Sequence, residues 1–84
     1  MEQSVTVRYF AEFREQAASD SEARTIASNG AVSAGMLFDE VAAEYGFVLD
    51  RASVRPAVNG RYVDWDHALQ PDDEVAFLPP VTGG

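Results

Sequence analysis

Glu74-Val75-Ala76-Phe77-Leu78-Pro79-Pro80-Val81-Thr82-Gly83-Gly84 is the stretch from which the rest of the chain can be placed. Its first half alternates as a strand does: Val75 and Phe77 fall on one face, and Glu74, Ala76 and Leu78 on the other. Two prolines then end it. Each lacks an N–H, fixes φ and pushes the residue before it into an extended conformation, so strand pairing is expected to stop at about Leu78. Val81–Gly84, about 13 Å when fully extended, is expected to project from the body. Glycine has no Cβ, so Gly83-Gly84 can thread a channel too narrow for any side chain and carry a terminal carboxylate through it. A frayed terminus accounts for the glycines but not for the prolines. The stretch reads as a strand feeding a tail made to be inserted into another protein.

Outward from it, Ser4–Phe10 alternates as well, with Val5, Val7 and Tyr9 on one face and Thr6, Arg8 and Phe10 on the other. Ala11–Ala18 reads as a short helix with Phe13, Gln16 and Ala17 inward, and Ser21–Ser28 as a weaker strand carried by Thr25 and Ile26. The main helix is marked at both ends: Ser33 as N-cap, Val32 able to staple onto Leu37, and Gly46 at the C′ position. Between them Leu37, Val41 and Tyr45 recur at helical spacing, with Met36 and Phe38 beside the stripe. Val54–Val58 runs into Asn59-Gly60, a strong hairpin signal, and Arg61–Val63 returns. Pro56 inside this strand points to an edge or a bulge.

The order predicts an α+β fold, one main helix lying across a small mixed sheet. One domain covers residues 1–80 and the tail residues 81–84. The first and last strands are both short apolar runs and fit side by side in the centre. Phe10 and Leu78 then share the face turned away from the helix.

Eighty-four residues, 46% hydrophobic with nine aromatics, make one small globular domain. There is no cysteine, which removes disulfides, thiolate nucleophiles and zinc–thiolate sites. The six basic residues are all arginine; without lysine there is no Schiff base and no side-chain amine to receive an isopeptide bond. A net charge of −8 argues against nucleic acid and anionic membranes and is compatible with a basic partner. Neither a signal peptide nor a membrane-spanning run is present, so the expected location is the cytoplasm.

Conventional active-site chemistry is thin. Asp64-Trp65-Asp66-His67 is the only tempting cluster, but one histidine with nearby carboxylates makes no metal site. It reads instead as a turn in which Asp66 caps a one-turn helix and His67 bonds locally. Pro71-Asp72-Asp73-Glu74 reads as a solvated acidic turn, and Ser33 has no base near it in sequence. No phosphate-binding glycine loop is present, so the chain is expected to bind no ATP or other cofactor itself. What remains reactive is the C-terminal carboxylate, a poor acyl donor that an external enzyme must activate, normally as an acyl-adenylate made with ATP. Docking to such an enzyme needs an exposed apolar patch, and Phe10, Tyr62, Leu78 and Val81 supply one beside the polar Thr6, Arg8 and Glu74.

Asp66-His67-x-Leu69 followed by Asp73-Glu74-Val75-Ala76-Phe77-x-Pro79-Pro80-Val81-x-Gly83-Gly84 resembles the small subunit of molybdopterin synthase, the MoaD family of ubiquitin-like sulfur carriers. Tyr9-Phe10-Ala11-x-x-Arg14-Glu15 and Ala57-Val58-Asn59 are similar to the same family, so the resemblance spans essentially the whole chain. It implies a β-grasp fold and a cycle with no active site on the carrier. A ubiquitin-activating-type enzyme adenylylates Gly84, and a sulfur donor protein converts the adenylate to a thiocarboxylate. The large synthase subunit then takes in the tail, and the sulfur passes to a cyclic pyranopterin monophosphate. The implied assembly is a heterotetramer with a central large-subunit dimer.

By position, Phe10, Arg14, Tyr62 and Leu78 match the family's docking surface. Pro79, Pro80, Val81 and Thr82 match the partner-binding strap before the reactive Gly83-Gly84. Asp72 departs from the family's usual glycine, which puts only that turn in question. A carrier for the thiamine pathway, a modifier joined to lysines through Gly84, and a plain β-grasp interaction module are the alternatives.

Overall fold

The computed structural model describes residues 3–26 and 32–80. In chain order these form β1 (Gln3–Tyr9), α1 (Glu12–Ala17), β2 (Ser21–Ile26), α2 (Ala34–Tyr45), a 3-10 turn at Arg51–Ser53, β3 (Arg55–Val58), β4 (Arg61–Tyr62) and β5 (Glu74–Leu78). The sheet order is β2-β1-β5-β3-β4. β1 and β5 run parallel, as Val7↔Val75 and Tyr9↔Phe77 show, and the other neighbours run antiparallel. The first and last strands therefore meet in the middle, as their apolar runs predict. Ala27 and Ser28, expected in the second strand, lie outside the described residues.

The alternation of each strand decides what is core. Val5, Val7, Tyr9, Val75 and Phe77 point to one side and are buried, as are Leu37, Phe38 and Val41 of α2. Each such side chain contributes roughly 1.5–3 kcal/mol by leaving water. Phe38 is the centre of an aromatic cluster, 5.1 Å from Phe77, 5.2 Å from Trp65 and 6.1 Å from Phe13 between ring centroids. Met36, expected beside the helix stripe, points outward instead.

Both ends of α2 follow from the sequence, with one addition. Ser33 Oγ accepts from the Met36 N–H, and Gly46 takes the left-handed conformation (φ 68°) at the far end. The addition is the segment Asp64–His67. Its backbone carbonyls satisfy the two N–H groups that the serine cap leaves over: Ala34 N–H donates to the His67 carbonyl (3.0 Å) and Gly35 N–H to the Trp65 carbonyl (2.8 Å). The N–H groups of the first three helical residues, Ala34, Gly35 and Met36, are thus all paired, and Leu37 N–H makes the first intrahelical bond, to the Ser33 carbonyl. No one-turn helix forms at Asp66. The segment is a turn closed by His67 N–H on the Asp64 carbonyl, because its carbonyls are already committed to α2.

Two further corrections concern turns and prolines. Pro56 is on neither an edge nor a bulge: β3 lies between β5 and β4, and its register with β5 is continuous from Arg55↔Leu78 to Val58↔Val75. Its carbonyl accepts from Val63 N–H, on the β4 side. In a strand N–H and C=O of one residue point the same way, so the missing N–H also faces β4, beyond its two residues, and no bond to β5 is lost. The acidic turn is structural rather than merely solvated. Asp73 accepts from the Gln70 N–H and from the Asn59 side chain, Asn59 Oδ1 accepts from the Glu74 N–H, and Asp72 sits at φ 70°.

β2, the edge strand, is tied to α2 by a polar network. The Tyr9 and Tyr45 hydroxyls both donate to Glu22 Oε2, and Arg24 pairs with Glu22 (3.2 Å) and Glu44 (2.9 Å). Burial by itself pushes the Glu22 carboxyl up, but the two hydroxyls and Arg24 outweigh it and hold the carboxyl below the usual range. Tyr9 is pushed far up, by burial first and then by its bond to Glu22.

A carboxyl depressed in the folded state stabilises the protein in full above its unfolded pKa and loses that stabilisation as pH falls through the folded value. Denaturant unfolding between about pH 5 and pH 3 should therefore show a fall in stability that Glu22→Gln removes. An unchanged pH slope in that variant would contradict the role assigned to the network.

Candidate protein-docking face

The strand positions that do not face α2 build the candidate site. Register brings them into rows: Arg8 beside Ala76, Ala76 beside Ala57, and Ala57 beside Tyr62, with Leu78 beside Arg55. Among the described residues no helix covers these side chains. Arg8, Phe10, Ala57, Gly60, Tyr62, Glu74, Ala76 and Leu78 line a shallow depression of about 400 Å³. Phe10 is 40% exposed and Tyr62 63%, so two large rings stand open to solvent on this face. Phe10 lies one residue past β1, where Ala11 at φ 51° turns the chain into α1.

Charge on this face is sparse. Arg8 pairs with Glu74 at 3.6 Å, both about half exposed, a contact of little energetic weight. The Arg55 guanidinium lies 4.4 Å from the centre of the Tyr62 ring. Arg55 then joins Tyr62, Leu78, Pro79 and Pro80 around a second depression of about 420 Å³, where β5 gives way to the prolines. The ladder ends with the pair Arg55↔Leu78, as the two prolines require.

The structure thus brings together Phe10, Tyr62, Leu78, Pro79 and Pro80. Arg14 lines neither depression; it sits on α1, 3.6 Å from Asp20. Val81, Thr82, Gly83 and Gly84 lie outside the described residues. Arg55 was missed by sequence reasoning, although a signal existed: residues 55 and 57 share a face by alternation, and the Asn59-Gly60 turn (φ 52° and 85°) sets Ala57 opposite Tyr62. The segment Asp64–His67 acts through its backbone and through the Trp65 ring in the core, and brings no side chain to this face.

A family model, the ThiS family, matches residues 7–84. The chain belongs to the ThiS family. Over 40 residues it is 48% identical to the molybdopterin synthase sulfur carrier subunit of Escherichia coli (strain K12). That match spans 48% of this chain and 49% of that protein, so about half the length of the curated relative is covered. Among solved structures, a Pyrococcus furiosus protein described as molybdopterin converting factor, subunit 1, is 33% identical with TM-score 0.77, covering 94% of this chain and 99% of that one. Small archaeal modifier protein 1 of H. volcanii is 20% identical with TM-score 0.79, covering 94% and 99%, and shows the shared fold. The five-stranded mixed sheet with its one long helix is the ubiquitin-like β-grasp.

Neighbouring residues of β5 should separate stability from docking. Phe77→Ala, with its ring fully buried, should cost about 3–5 kcal/mol in denaturant unfolding. Leu78→Ala should leave the fold intact and weaken partner binding by about 1–3 kcal/mol. The reverse pattern would mean that the two faces of β5 are assigned the wrong way round.

Proposed function

We propose that this chain is the sulfur carrier of molybdopterin synthase, with Gly84 as the reactive end and the open sheet face as the docking surface. The observation that carries the reading is the exposed apolar face of Phe10, Tyr62 and Leu78 at the root of the Pro79-Pro80 exit, in a chain of the ThiS family. The similarity to a sulfur carrier subunit supports the choice of sulfur transfer over other uses of a β-grasp domain.

In this reading the Gly84 carboxylate attacks the α-phosphate of ATP in the active site of an activating enzyme and releases pyrophosphate. A persulfide on a donor protein displaces AMP to give an acyl disulfide, and a second thiol then cleaves its S–S bond, leaving the thiocarboxylate on Gly84 and a disulfide on the donor side. Its sulfur is a softer and stronger nucleophile than the original oxygen. The body docks outside the large subunit while Pro79-Pro80-Val81-Thr82 leads Gly83-Gly84 into the buried pocket. There the sulfur passes to a cyclic pyranopterin monophosphate, and hydrolysis returns the carboxylate. Each dithiolene takes two sulfurs and hence two carriers, in a heterotetramer that holds a carrier at each end. The chain itself supplies position and a nucleophile, while its partners supply the phosphate ligands and the pterin pocket.

Deleting Gly84, or changing Gly83→Val, should abolish sulfur loading and cofactor formation and change stability by no more than about 0.5 kcal/mol. Thermal unfolding alongside loading with the activating enzyme, sulfur donor and ATP checks both halves. Normal thiocarboxylate formation by the shortened chain would overturn the proposal.

A further inference from the structure

Of the six arginines, four have an acidic partner among the described residues: Arg8 with Glu74, Arg14 with Asp20, Arg24 with Glu22 and Glu44, and Arg51 with Asp39. Arg55 and Arg61 have none there. Register separates these two. Arg61 pairs with Val58, whose side chain is buried on the helix side, whereas Arg55 pairs with Leu78 on the open face. Across β1, β3 and β5 that face carries three charged side chains, Arg8, Glu74 and Arg55, and the first two neutralise each other. Among the described residues the face is therefore left with one unpaired positive charge, in a chain of net charge −8.

The position of that charge has a consequence. The Arg55 guanidinium rests against the Tyr62 ring and shares a depression with Leu78, Pro79 and Pro80, so a partner seated on this face covers it. A guanidinium removed from water without a counter-charge is strongly unfavourable. Arg55 makes no side-chain hydrogen bond and no ion pair among the described residues, so none of them compensates it, and a carboxylate on the partner would. The planar fork of arginine donors fits a carboxylate in bidentate fashion, and its seat over the Tyr62 ring restricts the guanidinium before a partner arrives.

We propose that Arg55 is the polar anchor of the docking face and that the partner presents a carboxylate beside an apolar patch there. This inference rests on the carrier reading and refines it. Net charge alone points to a basic partner surface; the charge distribution points, for this face, to an acidic one.

The two expectations have opposite signs, which makes them separable. Binding of the wild-type chain, Arg55→Gln, Arg55→Lys and Arg55→Glu to the molybdopterin synthase large subunit of the same organism is measured by calorimetry and stopped flow across ionic strengths. Affinity should fall at least about ten-fold for Arg55→Gln and further for Arg55→Glu. Arg55→Lys should recover part of the loss, and the salt dependence of association should shrink in the neutral variant. Arg61→Glu, on the helix side, should bind within about two-fold of wild type. Equal or tighter binding by Arg55→Glu would overturn the inference and leave the carrier reading standing. Failure of the wild-type chain to bind would overturn the carrier reading and this inference with it. Thermal melts of each variant separate lost binding from lost folding.

Discussion

β5 is held between β1 and β3 by a fixed register, Val7↔Val75 on one side and Val58↔Val75 on the other. Because side chains alternate with period two, this pairing decides two things together. Val75 and Phe77 go under α2, where Phe77 meets Phe38 and Trp65, and Ala76 and Leu78 go to the open face. A slip of one residue would exchange core and surface along the whole strand, so the hydrophobic core itself holds the open face in place. The same strand ends at Pro79-Pro80. The core thereby also fixes where the tail leaves the body relative to Phe10, Tyr62 and Arg55.

Several polar groups of the domain are occupied with structure. Asp64–His67 lends backbone carbonyls to the start of α2, Asp73 and Asn59 close the turns around β5, and Glu22 with Arg24 ties the edge strand to the helix. Each of these groups has partners within the described residues and sits off the open face. Among those residues the face is left with apolar side chains, one exposed Arg8–Glu74 pair and a single unpaired cation, a composition suited to recognition. The chemistry under the proposed function is thereby assigned to the terminus and to other proteins.

Much of the fold was legible because its signals are local. The alternation of Val5, Val7 and Tyr9, the Ser33 cap, the Gly46 stop and the Asn59-Gly60 turn each specify their own element. The meeting of β1 with β5 followed from their apolar character. What the sequence hid depends on distant partners. Backbone carbonyls have no side-chain signature, so the capping of α2 by Trp65 and His67 could not be read. Pro56 misled because its tolerance depends on where β4 stops. In the candidate site, Phe10, Tyr62 and Leu78 were recognisable as apolar residues among polar ones, whereas Arg55 emerges only when hairpin register is laid over alternation.

The central proposal is that a folded domain carries sulfur on Gly84. Intact-mass spectrometry of the protein isolated from its native host tests this most directly. The account predicts a population in which one oxygen of the Gly84 carboxylate is replaced by sulfur, lost when the activating enzyme is deleted. A carboxylate unmodified under all growth conditions would contradict it, as would Gly84 found only in amide linkage to lysines of other proteins.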